Sequence, residues 1–290
     1  MFGIVLALLS AMSFGLSQIL VRRNLEKSSA IYISITVTLI GNIILWPLAL
    51  TYTDMSTLNP EGLLLFVFAG LLAPAIARLY YFKGMESVGI SVNATIFSVY
   101  PLYTSIVAVL LLGEMLTAEN WIGLACIIIG VIFVGKNINN CNSNTKKALK
   151  SALIFSVLGS LALSFSQIVR KEGLNVYNQP LLGVAVSYTT TLIFYVLFLA
   201  FSKNYKTRAF SLNDIRMFWK PGIGIAIGWM LSFLALSQEL VSIVVPVLQT
   251  ELLFILLFTC VFLRKIEEIS FKLAASALLI IVGVMLISIN

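Results

Sequence analysis

The phrase SFGLSQILVRR, beginning at Ser13, returns as LSFSQIVRK from Leu163, so that Ser17, Gln18 and Ile19 match Ser166, Gln167 and Ile168 at an offset of 149 residues. Small residues recur at every fourth position beneath these words: Gly3, Ala7, Ala11 and Gly15 in the first copy, and Ala152, Ser156, Ser160 and Ser164 in the second. The later part of the repeat runs at an offset of 153, which pairs Glu86 with Glu239, Glu114 with Glu267 and Gly130 with Gly283. The four extra residues fit a loop. A chain written twice folds as two like units, and hydropathy determines what kind.

Of 290 residues, 60% are hydrophobic and 11% charged, with a mean hydropathy of +1.02. That composition cannot cover a water-soluble surface. A helical membrane crossing needs about 20 apolar residues, and ten such stretches are present: Phe2 to Val21, Ser29 to Tyr52, Glu61 to Phe82, Ser91 to Leu112, Trp121 to Gly135, Leu149 to Val169, Leu181 to Phe201, Gly222 to Gln238, Ser242 to Leu263 and Ile269 to Ile289. The expected fold is an all-α membrane protein of ten transmembrane helices in two five-helix repeats, residues 1–136 and 149–290, with a polar linker at 137–148. Five is odd, so the second repeat enters the membrane upside down relative to the first. Secondary transporters place their substrate cavity between repeats related in this way.

The net charge of +7 raises the question of an acidic partner. Its distribution excludes nucleic acid. With the amino terminus outside, the inner loops carry Arg22, Arg23, Lys27, Lys83, Lys136, Lys146, Lys147, Lys150, Lys203, Lys206, Arg208, Arg216, Lys220, Arg264, Lys265 and Lys272, while the outer loops carry only Arg170 and Lys171. Basic loops face the cytoplasm, which predicts both termini on the non-cytoplasmic side of the cell membrane. The first stretch lacks the basic start and small-residue cleavage site of a secretory signal and is read as a span. Of three cysteines, Cys126 and Cys260 fall in spans and Cys141 in a loop, which leaves no disulfide framework.

The run MESVGISVNATIFSVYPLYTSIVAVLLLGEMLTAENWIGLACIIIGVIFVG, with Pro101 thirteen residues before Glu114, resembles the EamA-type repeat of the drug/metabolite transporter superfamily. The second copy keeps the pattern less closely, with Phe254 and Lys265-Ile266 where the first has the proline and the glycine before the acid. The resemblance implies a ten-helix carrier of small organic solutes, often an exporter. It also implies a central cavity lined by spans one to four and six to nine, with spans five and ten peripheral.

Eleven of the twelve acids lie in loops or at span ends; Glu251 lies ten residues into the ninth span. Ionised at mid-depth it would cost about 2.5–3.5 kcal/mol on insertion scales. It therefore faces a polar cavity, carries a proton or has a partner. With no histidine in the chain, it is the group suited to proton coupling, against the plainer reading of a neutral acid hydrogen-bonded between helices. The repeat sets Ser98 opposite Glu251, and Thr95, Ser98 and Ser105 share a stripe by helical spacing. That stripe either lines a cavity or packs helices. Gln18 and Gln167 sit at opposite depths of spans one and six, as a gate pair or as interhelical hydrogen-bond donors. Arg78, five residues before Lys83, is expected to snorkel to the interface, with contact to an anionic substrate as the alternative. Trp229 either stacks on a substrate or packs, while Tyr80, Tyr81 and Trp219 read as interface anchors. Pro101 and Pro246 mark kinks. The loop glutamates read as helix caps.

These residues favour a secondary-active transporter of metabolites such as amino acids or drug-like solutes, with the lipid bilayer, the substrate and protons as partners and no cofactor. A lipid or nucleotide-sugar translocator of the same fold is the alternative. An intramembrane enzyme would need paired acids, histidines or a nucleophile with its base, and the spans offer one acid. The glycines of GIGIAIG from Gly222 have no strand or ribose-binding acid beside them, and Asn93-Ala94-Thr95 lies inside a span, out of reach of glycosylation.

Overall fold

The computed structural model describes residues 2–54, 58–104, 107, 119, 121–123, 125–126, 129–130, 133, 143–201, 211–263 and 271–287. Among them every regular element is a helix: α1 (Phe2–Asn24), α2 (Ala30–Tyr52), α3 (Pro60–Gly70), α4 (Ala77–Val88), α5 (Ile90–Phe97), α6 (Ser143–Val176), α7 (Pro180–Phe201), α8 (Leu212–Gln238), α9 (Val241–Gln249), α10 (Glu251–Phe262) and α11 (Phe271–Ile287), with a short 3₁₀ turn at Leu25–Lys27. Seven spans among the described residues are long and apolar enough to cross a bilayer. The protein is an integral membrane protein. Ser105, Glu114, Cys141, Glu267 and seven of the fifteen residues of the fifth predicted span lie outside the described residues.

Several spans run longer than hydropathy predicts, spans six and eight among them. Span eight starts at Leu212 rather than Gly222, because Ser211 and Asp214 cap it: the Ser211 N–H donates to Asp214 Oδ2 at 3.1 Å. Arg216 and Lys220 are thus helical rather than in a loop. Span six continues past Val169 to Val176 and begins at Ser143, inside the segment read as linker. Glu86 does cap a helix, though not its own: its Oε1 accepts the Ala30 N–H at the start of α2 at 2.7 Å.

Several spans are interrupted. α3 and α4 are one span joined by a widened turn, Leu71–Ile76, where Ala73 leaves helical geometry ahead of Pro74. Carbonyls near that break are met by side chains from other helices. Ser166 Oγ donates to Ala69 O at 2.9 Å, Thr191 Oγ1 to Gly70 O at 3.1 Å, and the Tyr195 hydroxyl to Ala75 O at 2.8 Å. A broken helix survives in a membrane when its backbone groups are satisfied in this way. Span four turns at Ser98–Val99 and resumes at 100–104, with Pro101 in the resumed part. Span nine turns at Thr250, between α9 and α10. Under the 153-residue offset these two turns fall within one residue of each other.

The packing follows the repeat. The first span, α1, lies along α8, and its counterpart α6 lies along α3 and α4, the counterpart of α8. In the same way α2 meets α8 as α7 meets α3, and α2 and α7 meet each other. Beside the first stripe Ser10 Oγ donates to Gly228 O of α8 at 2.7 Å, and from the second stripe Ser156 Oγ donates to Asn93 Oδ1 of α5 at 2.7 Å. A Cβ on Gly15 would meet Phe254 Cβ at 2.8 Å, so glycine there lets α1 approach α10. Gly89 turns the chain between spans three and four at φ 82, a region open to glycine.

Most buried apolar residues gather in two large clusters. One holds Ile19, Ile31, Phe82, Tyr195 and Phe218, and the other Ala7, Leu45, Phe66, Leu182 and Phe233; Trp229 packs against both. Outward faces carry exposed residues such as Ile43 and Leu64, at 66% and 68% exposure, which suit lipid rather than water.

Candidate functional site

Six spans converge on a cavity, part of it open to the outside. Phe14 and Gln18 come from α1, Arg78 and Tyr81 from α4, Ala94 and Phe97 from α5, with Ser98 and Tyr100 at the turn that follows. The second half contributes Leu163 and Gln167 from α6, Ile225, Trp229 and Ser232 from α8, Leu248 and Gln249 from α9, and Glu251, Leu252 and Ile255 from α10. α2 and α7 stand behind this wall instead of forming it, contrary to what the resemblance implies for spans two and seven. Both breaks, at Ser98 and at Thr250, lie at the cavity, as expected where interrupted helices of corresponding position build a binding site.

Of the residues singled out in the sequence, Glu251, Gln18, Gln167, Ser98, Arg78 and Trp229 all reach this wall. Glu251 opens α10 and has no ion-pair or hydrogen-bond partner among the described residues. Gln18 and Gln167 share one cavity. Gln167 Oε1 accepts from Arg170 at 2.8 Å, whereas Gln18 Oε1 is buried without a hydrogen bond. Trp229 is crossed edge-on by Phe14, with ring centroids 5.7 Å apart.

Thr95 does not reach the wall. It is fully buried, and its hydroxyl donates to Ser91 O at 2.7 Å while Ser98 Oγ donates back to Thr95 O at 2.7 Å. Of the predicted stripe, Ser98 lines and Thr95 packs.

Arg78 does not snorkel. It is 6% exposed, and its guanidinium donates to Thr38 Oγ1 at 2.8 Å and to the Tyr188 hydroxyl at 3.0 Å. These hydroxyls, from α2 and α7, give it an inward alternative to the interface. Tyr81, read as an interface anchor, is likewise buried in the wall, edge-on to Phe97.

Arg170 was placed in an outer loop and is instead fully buried. Beyond Gln167 it donates to Ser166 Oγ at 3.1 Å and Ala73 O at 3.5 Å, and its guanidinium lies 4.4 Å from the Trp229 ring centroid and 4.5 Å from that of Phe233. The sequence held one sign of this: Arg170 and Lys171 are the exceptions to the loop charge asymmetry. Gln249, also unmarked in the sequence, is 5% exposed and its Oε1 has no hydrogen bond.

Residues 1–136 match the sequence model of the EamA-like transporter family. The first half of the chain is thus similar to an EamA-like transporter domain. The chain is similar to the uncharacterized transporter YwfM of Bacillus subtilis (strain 168), 30% identical over 133 residues, which cover 46% of this chain and 45% of that protein. It is also similar to an uncharacterized transporter of Archaeoglobus fulgidus, 22% identical over 99% of this chain and 98% of that one. A solved crystal structure, 14% identical, superimposes with a TM-score of 0.66 over 98% of this chain and 95% of the other, a likeness of fold. The helices that resemble the family most specifically are the fourth and fifth, and the fourth supplies Ala94, Phe97, Ser98 and Tyr100 to the cavity.

Proposed function

We propose that the protein is a secondary-active carrier that moves small organic metabolites out of the cell by alternating access, with two inverted five-helix repeats rocking about the cavity. The packing supports the repeat reading, since each seam in one half has its exchanged counterpart in the other. The charge asymmetry of the loops supports placing both termini outside, and the family resemblance supports export.

The observation that carries the reading is Glu251. It stands at the break of span nine, on the wall of the central cavity, with no fixed partner among the described residues. A carboxyl held there exchanges its proton with whatever enters, and its charge changes the stability of the open and closed states differently. Arg78, Tyr81 and Tyr100 are the other titratable groups on the wall, and Arg170 lies behind it.

The test is proton flux in proteoliposomes loaded with a pH-sensitive dye. Addition of a transported metabolite moves protons with the wild-type protein, and a pH gradient drives its accumulation. Glu251→Gln, which keeps shape and removes charge, loses the gradient-driven component while remaining monodisperse in detergent. Undiminished gradient-driven transport by that variant refutes the assignment.

A further inference from the structure

We infer that the cavity takes an organic anion, with its anionic group on Arg78 and its apolar body on the aromatic and aliphatic wall. This rests on the carrier reading and names its substrate class.

The argument is one of charge balance. Two guanidiniums are buried at the cavity, Arg78 at 6% exposure and Arg170 at none. Every hydrogen bond that Arg78 makes goes to a neutral hydroxyl, and its nearest ring is Tyr188, 4.9 Å away. Arg170 is likewise held by an amide, a hydroxyl, a carbonyl and two rings, and its Nε has no hydrogen bond. Among the described residues neither has a carboxylate within ion-pair distance, and the wall carries one acid, Glu251. Two cations therefore face at most one anion. The site holds excess positive charge whether or not Glu251 carries a proton. Buried charge without a counter-ion is unfavourable, and a guest's carboxylate supplies what the protein lacks. Guanidinium is the side chain best shaped for that group.

The two arginines differ in role. Arg78 is on the wall and meets the guest. Arg170 stands behind Gln167 and Trp229 and acts as a positioning residue, adding its field without touching. Phe14, Phe97, Leu163, Leu252 and Ile255 offer the apolar surface. The amides of Gln18 and Gln249 turn either an oxygen or an NH₂ toward a guest, so they fit either sign of charge and leave the arginines to decide it.

Four probes of one shape and different charge test this: hydrocinnamate, phenylpropylamine, phenylpropanol and phenylalanine. Each is titrated into the full-length protein in detergent at fixed ionic strength, with thermal unfolding as the readout. Hydrocinnamate raises the unfolding temperature in a saturable way, and the amine and the alcohol do not. Arg78→Gln weakens that binding by at least about tenfold, a loss of about 1.4 kcal/mol, and Arg78→Lys weakens it less. If Arg78→Gln fails to fold, the wild-type panel and Arg78→Lys decide. Tighter binding of the amine or the alcohol, binding of phenylalanine alone, or no binding of any probe overturns the inference. Amine binding together with proton-coupled flux overturns the anion and leaves the carrier reading standing.

Discussion

Arg170 Nη1 donates to Gln167 Oε1 at 2.8 Å, three residues back on the same helix, and so fixes a cavity side chain from behind. The same guanidinium covers Trp229 and Phe233. Charge-assisted hydrogen bonds contribute about 1.5–3 kcal/mol each, and a desolvated cation–π contact about 2 kcal/mol. Arg170→Ala is expected to destabilise the protein by about 3 kcal/mol or more, because Gln167 and Ala73 lose a donor and the rings lose a neighbour. Arg170→Lys keeps charge but not the planar fork and falls between. Thermal unfolding in detergent ranks the three proteins, and an Arg170→Ala protein as stable as wild type sinks the claim.

Gly15 sits where α1 touches the helix that carries Glu251. An added Cβ would lie 2.8 Å from Phe254 Cβ and 3.4 Å from Ile255 N, so α10 must shift to admit it. Overpacking of this kind costs about 1–3 kcal/mol. Gly15→Ala is expected to lower the unfolding temperature and to reduce gradient-driven transport, and Gly15→Val to do so more severely. At the matching position Ser164 shares a hydrogen bond with Thr104 at 2.9 Å, so Ser164→Ala removes about 1 kcal/mol without a clash. Equal effects from the two alanine variants, measured side by side, contradict the close-approach account.

Asp214 ties the start of span eight to the turn after span one. Its Oδ1 accepts from the buried Ser28 Oγ at 2.8 Å and its Oδ2 from the N–H of the half-buried Ser211 at 3.1 Å. Removal of a cap costs about 1 kcal/mol and leaves Ser28 without that acceptor. Asp214→Ala is expected to destabilise by about 2 kcal/mol and to speed tryptic cleavage after Arg22, Arg23 and Lys27. Asp214→Asn, which keeps one acceptor oxygen, is milder. Unchanged cleavage rates in Asp214→Ala show that the turn is held by other contacts.

The seven spans found among the described residues were legible because about 20 apolar residues in a row have few other fates. Glu251 was legible for the complementary reason, as an acid where acids are expensive. What the sequence hid depends on partners from distant helices. Arg78 looks like an interface residue until Thr38 and Tyr188 are seen beside it. Arg170 looks like loop charge until Gln167 and two rings enclose it. Thr95 and Ser98 share a helical stripe on paper, but the turn after Phe97 ends the regular spacing and leaves only Ser98 on the wall. Tyr81 has the composition of an anchor and the position of a lining residue. Hydropathy reports how much apolar length there is; it does not report where a polar group finds its hydrogen bond.

Gln249 offers a separation of stability from function. It is 5% exposed at the cavity, one residue before the turn at Thr250, and its Oε1 accepts no hydrogen bond. A buried carbonyl oxygen without a donor carries a desolvation penalty of about 1–3 kcal/mol. A group kept at that cost in the wall of a cavity is expected to serve the guest rather than the fold. Gln249→Leu removes the penalty and keeps the volume, so its unfolding temperature is expected to equal or exceed that of the wild type. Gradient-driven transport falls at the same time, through a raised KM, because the guest loses an amide partner. Gln18→Leu is expected to behave alike, since Gln18 Oε1 is also buried without a hydrogen bond. Thermal unfolding and initial transport rates on the same preparations decide the matter. A large loss of stability in Gln249→Leu means that the amide holds helices together, and unchanged transport means that it faces no guest.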